Sequence, residues 1–64
     1  MLRIVVRYEK SQEVHFAKQG KGVKKALDEL LRRGAIEAGY YIELRPMFGK
    51  EPYEIGSIDA LGLK

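Results

Sequence analysis

The sequence predicts a small α+β domain, ββαβ(β), with one helix packed on a three-stranded, mainly antiparallel sheet in the order 2-1-3. Three observations predict it. Period-two alternation of apolar and polar residues runs through residues 1–8 and again from Glu13 to Ala17. Between Val23 and Gly34 the apolar period changes to that of a helix, and at Tyr40 it returns to two. The whole chain is 64 residues with no linker-like or repeated stretch, so residues 1–64 are expected to form a single domain.

The first strand is read from Leu2, Ile4, Val6 and Tyr8 on one side and Arg3, Val5 and Arg7 on the other. β-branched residues at period two describe a strand with one buried face. Glu9-Lys10-Ser11-Gln12 has the length and polarity of a hairpin loop. In the second strand Val14 and Phe16 are expected to face the core, with Glu13, His15 and Ala17 facing away. Gly20-Lys21-Gly22 breaks that strand.

The helix is read from Val23, Ala26, Leu27, Leu30, Leu31 and Gly34 on one face. Lys24, Lys25, Asp28, Glu29, Arg32 and Arg33 occupy the other, spaced for i,i+4 pairing. Gly34 suits a left-handed C-terminal cap, and Arg32-Arg33 complement that end of the helix dipole. Gly39 then opens a third strand with Tyr40, Ile42 and Leu44 inward, Tyr41, Glu43 and Arg45 outward, and Pro46 closing it. Beyond Pro46 the pattern gives a turn at Gly49-Lys50-Glu51-Pro52, a short fourth strand at Tyr53-Glu54-Ile55, and a single turn capped by Ser57 and ending at Gly62. A right-handed crossover through the helix puts the third strand beside the first, which leaves one face of the sheet uncovered.

Composition excludes several function classes. With no cysteine there is neither a disulfide nor a thiolate zinc site. The longest apolar run is three residues, so no membrane span or signal peptide is expected, and the expected location is cytoplasmic. The nucleophile and base candidates are Ser11, Ser57 and His15 alone, and no three metal ligands group together in the sequence. No catalytic residues, cofactor or metal are expected.

Two surfaces remain as candidates. The uncovered sheet face should carry Arg3, Val5, Arg7, His15, Tyr41 and Arg45. Arginine and tyrosine are enriched at protein interfaces, so this face is a candidate partner-binding site. The second is Lys18, Lys21, Lys24 and Lys25 around Gly20 and Gly22. There, glycine-permitted backbone approach and a helix N-terminus describe an anion or nucleic-acid site. Lysine at a helix N-terminus is electrostatically misplaced unless an anion is present. Residues 1–33 hold nine basic and four acidic residues, and residues 34–64 hold three and five. The net charge of +3 is modest for a dedicated polyanion binder. The expected function is a non-catalytic protein-binding module, a small inhibitor or adaptor using its open face or an edge strand. Nucleic-acid binding through the sheet face and the Lys18–Lys21 loop is the alternative, and a structural homodimer paired through edge strands is another.

The element order resembles the small-module plan of ubiquitin-like folds and of small phage host-takeover proteins. Ala38-Gly39-Tyr40-Tyr41 opening the third strand and Arg45-Pro46 ending it are similar to the third strand of the short coliphage inhibitors of host RNA polymerase. The likeness covers residues 2–46 in element order and specific letters only around this strand. It implies a protein partner with an acidic surface and gives Arg45 the contacting role. A second arginine of that family's strand has no counterpart, because Glu43 stands in the neighbouring outward position. Ubiquitin-like carrier chemistry is not expected, since the sequence ends Gly62-Leu63-Lys64 rather than Gly-Gly.

Overall fold

The structure is a computed structural model that describes residues 2–46 and 53–63. Its elements are β1 (Leu2–Tyr8), β2 (Val14–Gln19), α1 (Val23–Arg32), β3 (Tyr40–Pro46), β4 (Tyr53–Ile55) and a 3-10 turn, Asp59–Leu61. The α+β class with one helix on an antiparallel sheet is as expected, but the sheet has four strands in the order β3-β1-β2-β4. The three-stranded 2-1-3 arrangement is thus corrected: β3, β1 and β2 keep that adjacency, and β4 extends it along the outer edge of β2. All three pairings are antiparallel. The proposed turn at 49–52 lies outside the described residues, as do Met47 and Phe48.

The core lies between α1 and one face of the sheet. Ile4, Val6 and Phe16 from the sheet meet Val23, Ala26 and Leu30 from the helix, closed by Ala35 and Leu61. Leu31, expected on the buried helix face, is instead exposed. The helix ends as its glycine predicts. Gly34 has φ +77, its N–H donates to Leu31 C=O at 3.2 Å, and the Ala35 N–H donates to Leu30 C=O at 3.0 Å. That pair of bonds is a Schellman cap. The same bonds recur five residues later, from Gly39 to Ile36 and from Tyr40 to Ala35. Two left-handed stops in succession therefore return the chain from α1 to β3.

The tail folds onto the helix side. Leu61 is buried in the core, with Ile58 and Leu63 packed against it. The Ala60 N–H donates to Ser57 Oγ at 3.2 Å, and Gly62 takes the left-handed conformation. Gly56 makes the crossing between β4 and this tail possible. A Cβ built there would lie 2.5 Å from the His15 carbonyl oxygen.

Candidate functional site

Strand register builds the uncovered face in rows. One row runs Arg45, Arg3, Gln19, Tyr53 across β3, β1, β2 and β4. The next runs Glu43, Val5, Ala17, Ile55, and a third pairs Tyr41, Arg7 and Val14. Val5 and Ala17 are buried although the helix lies on the opposite side. Directly opposed residues share a sheet face, so Arg3, Val5, Arg7, Tyr41 and Arg45 are brought together as the alternation predicts.

The side chains of this face are tied to one another. Arg3 Nε and Nη2 both donate to Gln19 Oε1, at 3.1 and 2.8 Å, and the guanidinium carbon sits 4.0 Å from the Tyr53 ring centroid. Arg7 Nε donates to Glu43 Oε1 at 2.8 Å, while Arg45 Nη2 and Nε donate to Glu43 Oε2 at 2.7 and 3.1 Å. Arg45 first and Arg7 second hold the Glu43 carboxyl below the usual glutamate range by stabilising its charged form. Tyr41 Oη donates to Gln12 Oε1 at 2.6 Å, and Arg7 Nη1 donates to the Gln12 carbonyl at 3.3 Å. The result is two guanidinium groups, those of Arg7 and Arg45, on the one carboxylate of Glu43, with the guanidinium of Arg3 held apart by Gln19 and the Tyr53 ring.

His15 is not part of this face, which corrects the sequence reading. Phe16 opposes Val6 but Val14 opposes Arg7, so one residue is extra in β2 and the register shifts between Val6 and Arg7. This bulge carries Val14 to the arginine side and turns His15 toward the core side. There the imidazole packs edge-on against Tyr8 and Tyr40, with ring centroids 6.1 and 5.6 Å away. Its Nε2 is buried without a hydrogen-bond partner among the described residues.

The lysine set is divided. Lys18 opposes Ile4 and Glu54, which puts it on the helix side of the sheet, and its Nζ lies 4.0 Å from a Glu54 oxygen. Lys18 and Lys25 line a cleft of about 330 Å³ together with Glu29, Arg33, Glu54 and Asp59. Three cations there face three carboxylates. Arg33 is bound to both Asp59 and Glu29 at 2.8 Å, and Asp59 first and Glu29 second raise its pKa further. Lys24 borders a different, apolar cleft with Leu2, Leu27 and Leu44, and Lys21 is exposed in the loop. The helix N-cap is Gly22, with no side-chain cap and no acidic residue in the first turn. Glu29 takes Arg32 and Arg33 together, at 2.7 and 2.8 Å.

Of the nucleophile candidates, Ser11 Oγ accepts from the Glu13 N–H at 3.3 Å in the hairpin loop, and Ser57 Oγ serves the 3-10 turn. Among the described residues no cluster of His, Asp and Glu is placed to hold a metal ion, and no helix is long and apolar enough to cross a membrane.

Three contributors to the arginine face were missed in the sequence. Gln19 follows from carrying the β2 alternation two residues past Ala17. Tyr53 and Ile55 follow from the same alternation in β4 once that strand is placed beside β2. Comparison of the chain with protein-family models, with curated proteins and with solved structures returned no match.

Proposed function

We propose that this chain is a non-catalytic protein-binding module whose arginine face docks on an acidic partner surface. The observation that carries this reading is the cluster of Arg3, Arg7 and Arg45 held in fixed orientation by Gln19 and Glu43 between Tyr41 and Tyr53. A guanidinium has five N–H donors in a planar fork, so each of these groups keeps donors for a second carboxylate after its internal bond is made. Holding the forks in place beforehand lowers the ordering cost of binding. Arginine and tyrosine at the centre of a flat face are also the residue types that dominate interface energetics. The role that the resemblance gives to Arg45 fits this reading, since Arg45 stands at the β3 end of the arginine row.

Nucleic-acid binding draws less support. Lys18 stands on the opposite side of the sheet from Arg3, so the lysine loop and the arginine face do not form one continuous basic surface.

The two readings separate by titrating a fluorescent glutamate-rich peptide and a random-sequence single-stranded oligonucleotide under rising salt. The expected result is saturable peptide binding that Arg3→Lys with Arg45→Lys weakens, since lysine keeps the charge but loses the fork. Oligonucleotide binding with a steep salt slope, unchanged by those variants and unaccompanied by peptide binding, would replace the protein reading.

A further inference from the structure

We propose that the outer edge of β3 pairs with the same edge of a second copy of this chain, antiparallel, about a two-fold axis at Leu44.

The two edges of the sheet differ. β4 has three residues and is too short to template another strand, whereas β3 runs seven residues in unbroken register with β1. Natural sheets blunt long edges with bulges, short strands, charges or proline; β3 has seven residues and no bulge, its proline stands only at the end, and its charges, Glu43 and Arg45, are of opposite sign. Among the described residues no strand pairs with the outer side of β3.

The groups it presents follow from the hydrogen bonds. The Glu9 N–H donates to the Gly39 carbonyl at 2.8 Å, one rung beyond Tyr8 and Tyr40. Bonding alternates along an antiparallel ladder, so Tyr41, Glu43 and Arg45 bond inward to β1, while Ile42 and Leu44 turn their N–H and C=O groups outward. Tyr40 also points outward, but its N–H is taken by Ala35 at 3.1 Å. Pro46 falls on an outward position, where its missing N–H removes no bond to β1.

The same flank is apolar on the helix side. Leu44 is 48% exposed and Leu2 50%, and both border the cleft that Leu27 lines. Leu31, one turn after Leu27, is 51% exposed. A 64-residue chain without disulfides has few means of support beyond packing, and association is one of them.

Charge selects the occupant and the register. β3 alternates Ile42 and Leu44 on one side with Glu43 and Arg45 on the other, so it complements itself. In a continuous two-fold sheet, opposed residues share a face, which restricts the axis to a residue position. An axis at Glu43 would set two carboxylates against each other. An axis at Leu44 sets Glu43 opposite the partner copy's arginine at 45 twice over, packs the two leucines at 44 together, and lets the Ile42 N–H reach the opposing Pro46 carbonyl. The arginine faces of both copies then lie side by side on one surface. This proposal goes beyond the partner reading and does not depend on it.

Sedimentation of the native chain over a range of concentrations, with no partner added, is the test. A reversible monomer–dimer equilibrium is expected, weakened about tenfold by Arg45→Glu, which puts like charges opposite each other at two places. Leu44→Cys, the only thiol in the chain, should cross-link under mild oxidation faster than Glu54→Cys on the far edge, with circular dichroism confirming that each variant is folded. A monomer at every concentration, a dimer indifferent to Arg45→Glu, or cross-linking through Glu54→Cys at an equal rate would overturn the proposal.

Discussion

The guanidinium of Arg3 lies 4.0 Å over the ring of Tyr53, so a residue of the central region of the sheet reaches across β2 to hold the last and shortest strand. The same guanidinium is bonded to Gln19, which directly opposes Tyr53. Tyr53→Leu keeps most of the apolar area and removes the ring's attraction for the cation. It should cost about 0.5–1 kcal/mol of stability, the usual worth of an exposed cation–π pair. The loss should appear as faster amide exchange in residues 53–55 before the rest of the sheet is affected.

Gly56 cannot accept a side chain without a shift of the backbone against it. Its φ of +68 is a left-handed conformation, and an added Cβ would meet the His15 carbonyl oxygen at 2.5 Å. Gly62 has a similar φ of +72 but nothing within 4 Å of the same position. Gly62→Ala should therefore lose only the conformational term, about 1 kcal/mol. Gly56→Ala adds a steric clash with backbone and should lose about 2 kcal/mol or more. Paired denaturant titrations of the two variants measure the difference directly.

The buried Nε2 of His15 has no hydrogen-bond partner among the described residues, whereas the ring itself packs against two tyrosines. His15→Phe retains an aromatic ring in the trio and removes the unsatisfied nitrogen. Leaving a buried polar group unpaired costs about 1–3 kcal/mol. The variant should accordingly be as stable as the native chain or more so, with a midpoint at equal or higher denaturant. A large loss of stability would mean that the imidazole makes a polar contact essential to the hairpin.

Glu43 has a pKa lowered chiefly by Arg45 and then by Arg7. A carboxylate with a depressed folded-state pKa contributes stability that is fully present above its unfolded pKa, about 4.3. That contribution is lost as the pH falls from there through the folded value. Glu43→Gln should thus lower the thermal midpoint at neutral pH, and the gap between the two proteins should close as the solution is acidified below about pH 4. Melting curves across the acid range give the result. Added salt should narrow the gap at neutral pH, because these side chains are partly exposed.

Much of the architecture was legible because the local signals agreed. The alternation in β1 and β3, the helical period from Val23, and Gly34 as its cap all point to the same elements that the structure forms. The hairpin bulge was not legible. Val14-His15-Phe16-Ala17 alternates cleanly, no glycine marks the extra residue, and the side on which Val14 falls is set by its opposition to Arg7. The place of β4 was hidden for a related reason. Three residues have too little period to declare a neighbour, and their place is known only from the ladder they form with Ala17, Lys18 and Gln19 of β2. Leu31 was assigned to the core by helical spacing alone, which cannot say how far the sheet extends beneath the helix. Alternation puts Arg3, Val5, Arg7, Tyr41 and Arg45 on one sheet face, and the strand register does the same. The face was missed at Gln19, two residues past the end of the alternation at Ala17, and at Tyr53 and Ile55, whose part in it depends on the fourth strand.

The extra residue in β2 also sets a rule for anyone using this hairpin as a scaffold. Sequence inserted or replaced in the segment 9–13 should be counted from the rung that joins Arg7 to Val14, not from Phe16. Counting from Phe16 by simple alternation would turn every grafted side chain to the wrong side of the ribbon. A deletion of His15, by contrast, would leave Val14 opposite Arg7 and make the ladder regular, so the outer half of the hairpin would keep its side and lose only the ring packed on Tyr8 and Tyr40.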